Sequence, residues 1–190
     1  MKMDITIGSM PDLDNLSARL GLELYPERFA VPWEQCGATA NFVADWFLDT
    51  PDALVHLADA TQRSQWHGSV SYVLNELLEN AFKFHTGSDS ILLLVGLSET
   101  DLVVLVRNTA LSETAAALPA IVEPLVHGDP SELLFARIEA NAEEEDEDTS
   151  GLGFLTMRTD YDVTLGWRLQ TSPSCDDRVQ VSTAAWLPIA

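Results

Sequence analysis

The stretch that most constrains the fold runs from Val70 to His85, VSYVLNELLENAFKFH. At about 100° per residue, Val73, Leu74, Leu77, Leu78, Ala81 and Phe84 share one side of a helix. Glu76, Asn80 and Lys83, spaced four and then three apart, share another. The apolar side has to bury against a sheet. The same helix then holds, beside its core contact, a carboxylate, an amide and an amine. That set suits a magnesium-bound phosphate: the carboxylate can accept a proton, the amide oxygen can ligate a hard cation, and the ammonium can meet phosphate charge. An ordinary amphipathic helix with a solvated polar face shows the same spacing, so the rest of the chain has to decide.

At 190 residues, 46% hydrophobic and 21% charged, the chain is long enough for one domain with a proper core. Thirty acidic residues against 10 basic ones give a net charge of −20, which argues against duplex DNA and against an anionic membrane, both of which demand basic patches. A basic partner or a metal-masked polyanion fits that charge. Lys2 and Lys83 are the only lysines, so the one inside the fold lies on the organising helix. Cys36 and Cys175 have no metal-ligand spacing and make no disulfide framework, and both are expected reduced. MKMDITIGSM has no long apolar run, so neither a signal peptide nor a membrane span is expected, and the expected compartment is the cytoplasm.

Along the chain, residues 1–20 are polar and broken by Gly8 and Pro11, which suggests an N-terminal arm with a short helix near Asp12 to Leu20. Leu22 to Val31, interrupted by Pro26, suits an edge strand or two short extended pieces. Pro32 to Leu48 is predicted helical, with Trp46 in the core; Trp33 and Phe47 fit either core or interface. Asp52 to Gln65 is predicted helical, and Gly68 is expected to break the chain before the organising helix. Ile91 to Leu97 and Leu102 to Arg107 read as a hairpin. Glu113 to Val126 and Pro130 to Ala142 read as helices, followed by the acidic run Glu143 to Asp148, expected to be solvated. GLGFLTM from Gly151 to Met157 comes next, and two strands, Val163 to Gln170 and Arg178 to Leu187, close the chain.

Helix, hairpin, long insert, glycine pair and closing strands, in this order, resemble the histidine-kinase-type ATP-binding fold shared by gyrase, the heat-shock chaperone, sensor kinases and mismatch-repair ATPases (GHKL). NELLENAFKF resembles its N box and TSGLGFLTM its second glycine box, over roughly residues 65–190. The resemblance implies an α+β, two-layer sandwich: a mixed, largely antiparallel sheet with helices on one face. Residues 21–190 would form one ATP-binding domain, with a lid insert over 111–150. It implies ATP and Mg²⁺ as cofactors, Asn80 as the magnesium ligand, Lys83 on phosphate, and lid amides from Gly151 and Gly153, whose lack of side chains allows close backbone approach.

One motif departs from the pattern. The family's first glycine box places an Asp and a Gly after the second strand to recognise adenine, and here that stretch is Val106-Arg107-Asn108-Thr109-Ala110. Asn108 can still accept through its amide oxygen, without charge and without the glycine. The six acids before Gly151 are expected to compete with phosphate for the same partial positive charge. A glutamate one turn before the magnesium asparagine resembles the anti-sigma-factor branch, partner-switching serine/threonine kinases that phosphorylate a small protein antagonist. On that resemblance Glu76 accepts the proton of the incoming hydroxyl. The expected partner is a small protein antagonist or sigma-factor-like regulator, with no nucleic acid and no membrane; a homodimer is left open. The alternative is a GHKL-fold interaction module without nucleotide turnover. A metal-dependent hydrolase built on the acidic run is the weakest reading, since adjacent acids rarely converge on one ion.

Overall fold

The computed structural model describes residues 3–28, 32–51, 57, 59–143, 152–172 and 177–189, with backbone only for 32, 33 and 140–143. Six strands, β1 (Asp4–Ile7), β2 (Ser17–Leu24), β3 (Ile91–Leu97), β4 (Asp101–Leu111), β5 (Thr164–Thr171) and β6 (Arg178–Pro188), form one sheet in the order β1-β5-β6-β4-β3-β2. Every pairing is antiparallel. Among the described residues five α-helices accompany it: α1 (Pro32–Leu48), α2 (Ala60–Phe84), α3 (Ser112–His127), α4 (Pro130–Glu143) and α5 (Leu152–Asp160). The α+β two-layer sandwich expected from the sequence is the architecture observed, with a sheet that is antiparallel throughout.

β4 is the central strand. It pairs with β6 from Asp101↔Pro188 to Leu111↔Arg178 and with β3 from Leu92↔Arg107 to Leu97↔Leu102. Leu102, Val104, Val106 and Ala110 enter the core beneath the helices together with Val70, Val73, Leu74, Leu77, Leu78 and Ala81 of α2. Val103 and Leu105, on the opposite face, are buried as well. A strand covered on both faces needs a nearly continuous apolar run, and DLVVLV supplies one.

The cover on the second face explains the first difference from expectation. β1 and β2 occupy opposite edges of the sheet, so residues 8–16 have to cross five inter-strand intervals, about 24 Å, a span within reach of an extended chain of that length. The crossing runs over the face away from the helices: the Ser9 carbonyl lies where a Cβ on Gly166 would stand, and Leu16 lies 2.9 Å from the Cβ position of Gly96. The helix expected near Asp12 to Leu20 is only a 3-10 turn, Leu13–Asn15, whose Asp14 N–H donates to the Asp12 carboxylate at 3.2 Å. SARLGLEL then alternates with period two, turning Ala18, Leu20, Leu22 and Leu24 inward, and period two makes a strand.

Two further expectations are corrected. Gly68 does not break the chain: α2 runs through it from Ala60, because Trp66 and Val70 on either side share the buried stripe and Asp59 caps the start. Trp46 is 38% exposed, whereas its neighbour Phe47 is fully buried and meets the indole edge-on at 4.7 Å. Of the helix predicted over Asp52 to Gln65, residues 52–56 and 58 lie outside the described residues, and Ala60 to Gln65 form the first turns of α2. Cys36 is buried, and burial together with the nearby Glu79 charge pushes its thiol up to about 11; Cys175 lies outside the described residues. Among the described residues no helix is long and apolar enough to cross a membrane.

The start of α2 is a checkable point. The Asp59 carboxylate accepts from the N–H groups of Thr61 and Gln62 at 2.8 and 2.9 Å. Asp59→Ala is expected to lower stability in urea unfolding by about 1 kcal/mol, and Asp59→Asn to retain most of it, because the cap needs an acceptor oxygen rather than a charge.

Candidate functional site

The polar side of α2 faces a cleft of about 550 Å³. Tyr72, Glu76, Asn80 and Lys83 line one wall, Leu118 and Ile121 of α3 and Arg137 of α4 another, and Leu152, Gly153 and Phe154 at the start of α5 the third. Asn80 Nδ2 donates to the Glu76 carbonyl at 2.8 Å. Only the amide nitrogen can make that bond, so the orientation is fixed by chemistry and Oδ1 is left as the acceptor. Lys83 is exposed, its ammonium 5.7 Å from the centre of the Phe84 ring.

Glu76 is half-buried against α5. A Cβ on Gly153 would overlap its carboxylate, so the bare backbone of Gly153 is what admits Glu76 to this place. Burial, and secondarily the charge of Glu79, hold the Glu76 carboxyl above its usual range. Tyr72, one turn before Glu76, stacks on Tyr161 at 4.9 Å and 20°. Burial is also the main reason its phenol lies above the ordinary value. A carboxylate held above its usual range is a stronger base than a solvated one.

Beside the cleft, and sharing Asn80, Phe84, Leu118, Ile121 and Phe154 with it, an apolar slot of about 120 Å³ runs between α2, α3 and the sheet. Leu77, Ala81, Ala110, Ala115, Trp167 and Val181 form most of its wall. Asn108 reaches it from β4, 6% exposed, in the helix-facing row otherwise made of Leu102, Val104, Val106 and Ala110.

Glu76, Asn80, Lys83 and Gly153 therefore meet at one cleft, and Asn108 lines the adjoining slot. Gly151 and the acidic run beyond Glu143 lie outside the described residues. Asn108-Thr109-Ala110 does not follow the second strand of the hairpin: it is part of β4, paired with Val181, Gln180 and Val179. Tyr72 and Arg137 went unread in the sequence. Tyr72 carried a signal, since it precedes Glu76 by four as Glu76 precedes Asn80, and Arg137 carried a weaker one as the lone arginine of residues 111–150. The two histidines flanking the organising stretch bind neighbouring elements instead of the cleft: His67 bonds Asp45 of α1 at 3.0 Å, and His85 Nδ1 accepts from the Thr109 N–H at 3.4 Å. No cluster of three or more His, Cys, Asp or Glu gathers among the described residues. A hard cation here would draw on Asn80 Oδ1 and on oxygens brought by a ligand.

No family model matches the chain, and no curated protein matches it at a significant level. Among solved structures, it is similar to a chain in the crystal structure of the SiaB-SiaC complex from Pseudomonas aeruginosa, with a TM-score of 0.60 and 16% identity, over 88% of this chain and 89% of that one. At that identity the likeness is one of fold.

The position of Glu76 has a pH signature. Because folding raises its pKa, the folded state favours the protonated form; this contribution is fully present below the unfolded pKa and is lost as pH rises through the folded value. Glu76→Gln, which removes the ionisation, is expected to unfold at a higher temperature than the parent at neutral pH and at the same temperature below about pH 4. A variant no more stable at neutral pH would show that ionised Glu76 carries no penalty in the cleft.

Proposed function

We propose that this protein is a nucleotide-dependent signalling regulator that binds Mg-ATP in the cleft and acts on a small protein partner, by phosphorylating a hydroxyl of it or by sequestering it. The observation that carries this reading is the adjacency of two chemically different spaces: an apolar slot suited to a flat base shares five wall residues with a cleft that holds Glu76, Asn80, Lys83 and Arg137. An amphiphilic ligand with a ring at one end and phosphates at the other matches that division. The fold likeness to a chain of a two-protein complex supports the choice of a protein as the other substrate.

When bound, Mg-ATP supplies the transferable phosphoryl group and the divalent charge that neutralises it. The chain's own residues position and deprotonate. Asn80 would offer Oδ1 to the cation, Lys83 and Arg137 would offer charge to phosphate oxygens, and the bare backbone of Gly153 seats the Glu76 carboxylate against the start of α5. Glu76, held above its usual range, accepts the proton of the partner's hydroxyl. Phosphoryl transfer asks mainly for placement and charge neutralisation, so this short set suffices.

A second reading, an interaction module of the same fold without turnover, draws on one specific observation. β4 continues as paired strand through Asn108, Thr109 and Ala110, so the base slot lacks both the carboxylate and the glycine loop that the family resemblance calls for.

Thermal unfolding separates the two. Mg-ATP at about a hundred times its dissociation constant is expected to stabilise the protein by roughly 2.7 kcal/mol, a shift of about 5–10 °C for a domain of this size. The shift is expected to vanish in Asn80→Ala, and its absence in the parent at millimolar nucleotide would favour the module. Glu76→Ala is expected to keep the shift and lose phosphoryl transfer; retained transfer would remove Glu76 from the role of base.

A further inference from the structure

The slot beside the cleft contains a polar group that the protein leaves unanswered. Asn108 is 94% buried by its 6% residual exposure, it stands alone among apolar residues on the helix-facing side of β4, and its side-chain amide has no hydrogen-bond partner among the described residues. Among the described residues the fully enclosed side-chain atoms without a partner are Trp66 Nε1, Ser71 Oγ and His85 Nε2, so the Asn108 amide is open to the slot, where a ligand group can pair with it in place of solvent. The rest of the slot narrows the chemistry. Apart from the Trp167 indole, its polar side chains are Asn80, Asn108, Thr114 and Thr183. Each carries a donor and an acceptor, and none ionises.

We infer that Asn108 makes the slot indifferent to the hydrogen-bonding polarity of the base, so that the site takes 6-amino and 6-oxo purine nucleotides alike. This deepens the proposed function and rests on it. A half-turn of the Asn108 amide about its last torsion exchanges Oδ1 for Nδ2 without moving the backbone. Oδ1 then accepts from a 6-amino group, and Nδ2 donates to a 6-oxo group. A carboxylate at this position has only acceptors, so it would receive the amino group and face the oxo oxygen with like charge. The residue type at position 108 is therefore what sets the breadth of base recognition, and an amide sets it wide.

The test is calorimetric binding of Mg-ATP and Mg-ITP, which differ at the 6-position and the adjoining ring nitrogen, to the parent, Asn108→Asp and Asn108→Ala, with thermal unfolding confirming that each variant folds. The parent is expected to bind ATP and ITP within about threefold of each other, and Asn108→Asp to prefer ATP by about tenfold or more. Asn108→Ala, which removes donor and acceptor together, is expected to weaken both to a similar extent. A parent that prefers ATP by tenfold overturns the inference while leaving the proposed function standing. So does an Asn108→Asp that still binds both equally, or, should that variant fail to fold, an Asn108→Ala that weakens only one nucleotide. Binding of neither nucleotide to the parent overturns the proposed function and the inference together.

Discussion

The contact on which the rest of the structure depends is the burial of α2 against β4. Val70, Val73, Leu74, Leu77, Leu78 and Ala81 are each no more than 5% exposed and join the same core as Leu102, Val104 and Val106 of the central strand. Burying a stripe of that length fixes the roll of the helix, since rotation by even one position would bring Glu76 or Asn75 into the core and expose a leucine. With the roll fixed, Glu76 and Asn80 have one direction in which to point. The cleft is built outward from that direction: α5 closes against Glu76 because Gly153 has no side chain, and α3 and α4 bring Leu118, Ile121 and Arg137 across the opening.

Charge makes the placement of the few cations informative. In a chain with a net charge of −20, two cationic side chains line a cleft that also holds Glu76 and Glu79. Lys83 comes from the last turn of α2, where a cation is favoured by the helix dipole, and Arg137 from an insert rich in acids. They offset locally a field that is otherwise repulsive to anions. Surface pairs elsewhere, such as Arg168 with Asp4 on the β1 edge, lie far along the sheet order from β4 and have no part in this offset.

Much of this was legible in the sequence because it rests on local periodicity. The 3.6-residue stripe of α2, the hairpin of β3 and β4, the bounds of α1 and the two helices of residues 111–143 follow from patterns within a single segment. So does the meeting of Glu76 and Asn80, one turn apart on one helix. What was hidden depends on contacts between distant segments. β1 joins β5 across Asp4↔Gln170, and the crossing of residues 8–16 is dictated by which edges β1 and β2 occupy, neither of which a local pattern encodes. Hydrophobicity alone puts Trp46 in the core, yet its helix has a limited buried face, already filled by Cys36, Ala40, Val43, Ala44 and Phe47. Arg137 comes to the cleft only through the packing of α4 on α5, which no spacing within either helix reveals.

The departure at Asn108 becomes intelligible from the strand that carries it. A loop rich in glycine would let the backbone adapt around a ligand; here the same stretch is held in register, with Asn108 opposite Val181 and Thr109 opposite Gln180. The end of α2 is locked to this point in two places: the Thr86 N–H donates to the Thr109 carbonyl at 2.7 Å, and the Thr109 N–H donates to His85 Nδ1 at 3.4 Å. Burial keeps His85 below its usual pKa, so the imidazole stays neutral and able to accept. The strand that presents Asn108 and the helix that presents Asn80 and Lys83 are thereby tied where α2 ends. A ligand spanning both spaces would meet groups whose separation is set in advance, which lowers the ordering cost of binding. Such preorganisation can offset the weaker hydrogen bond of a neutral amide relative to a carboxylate, so a rigid strand and an uncharged side chain at position 108 are compatible with the proposed base slot.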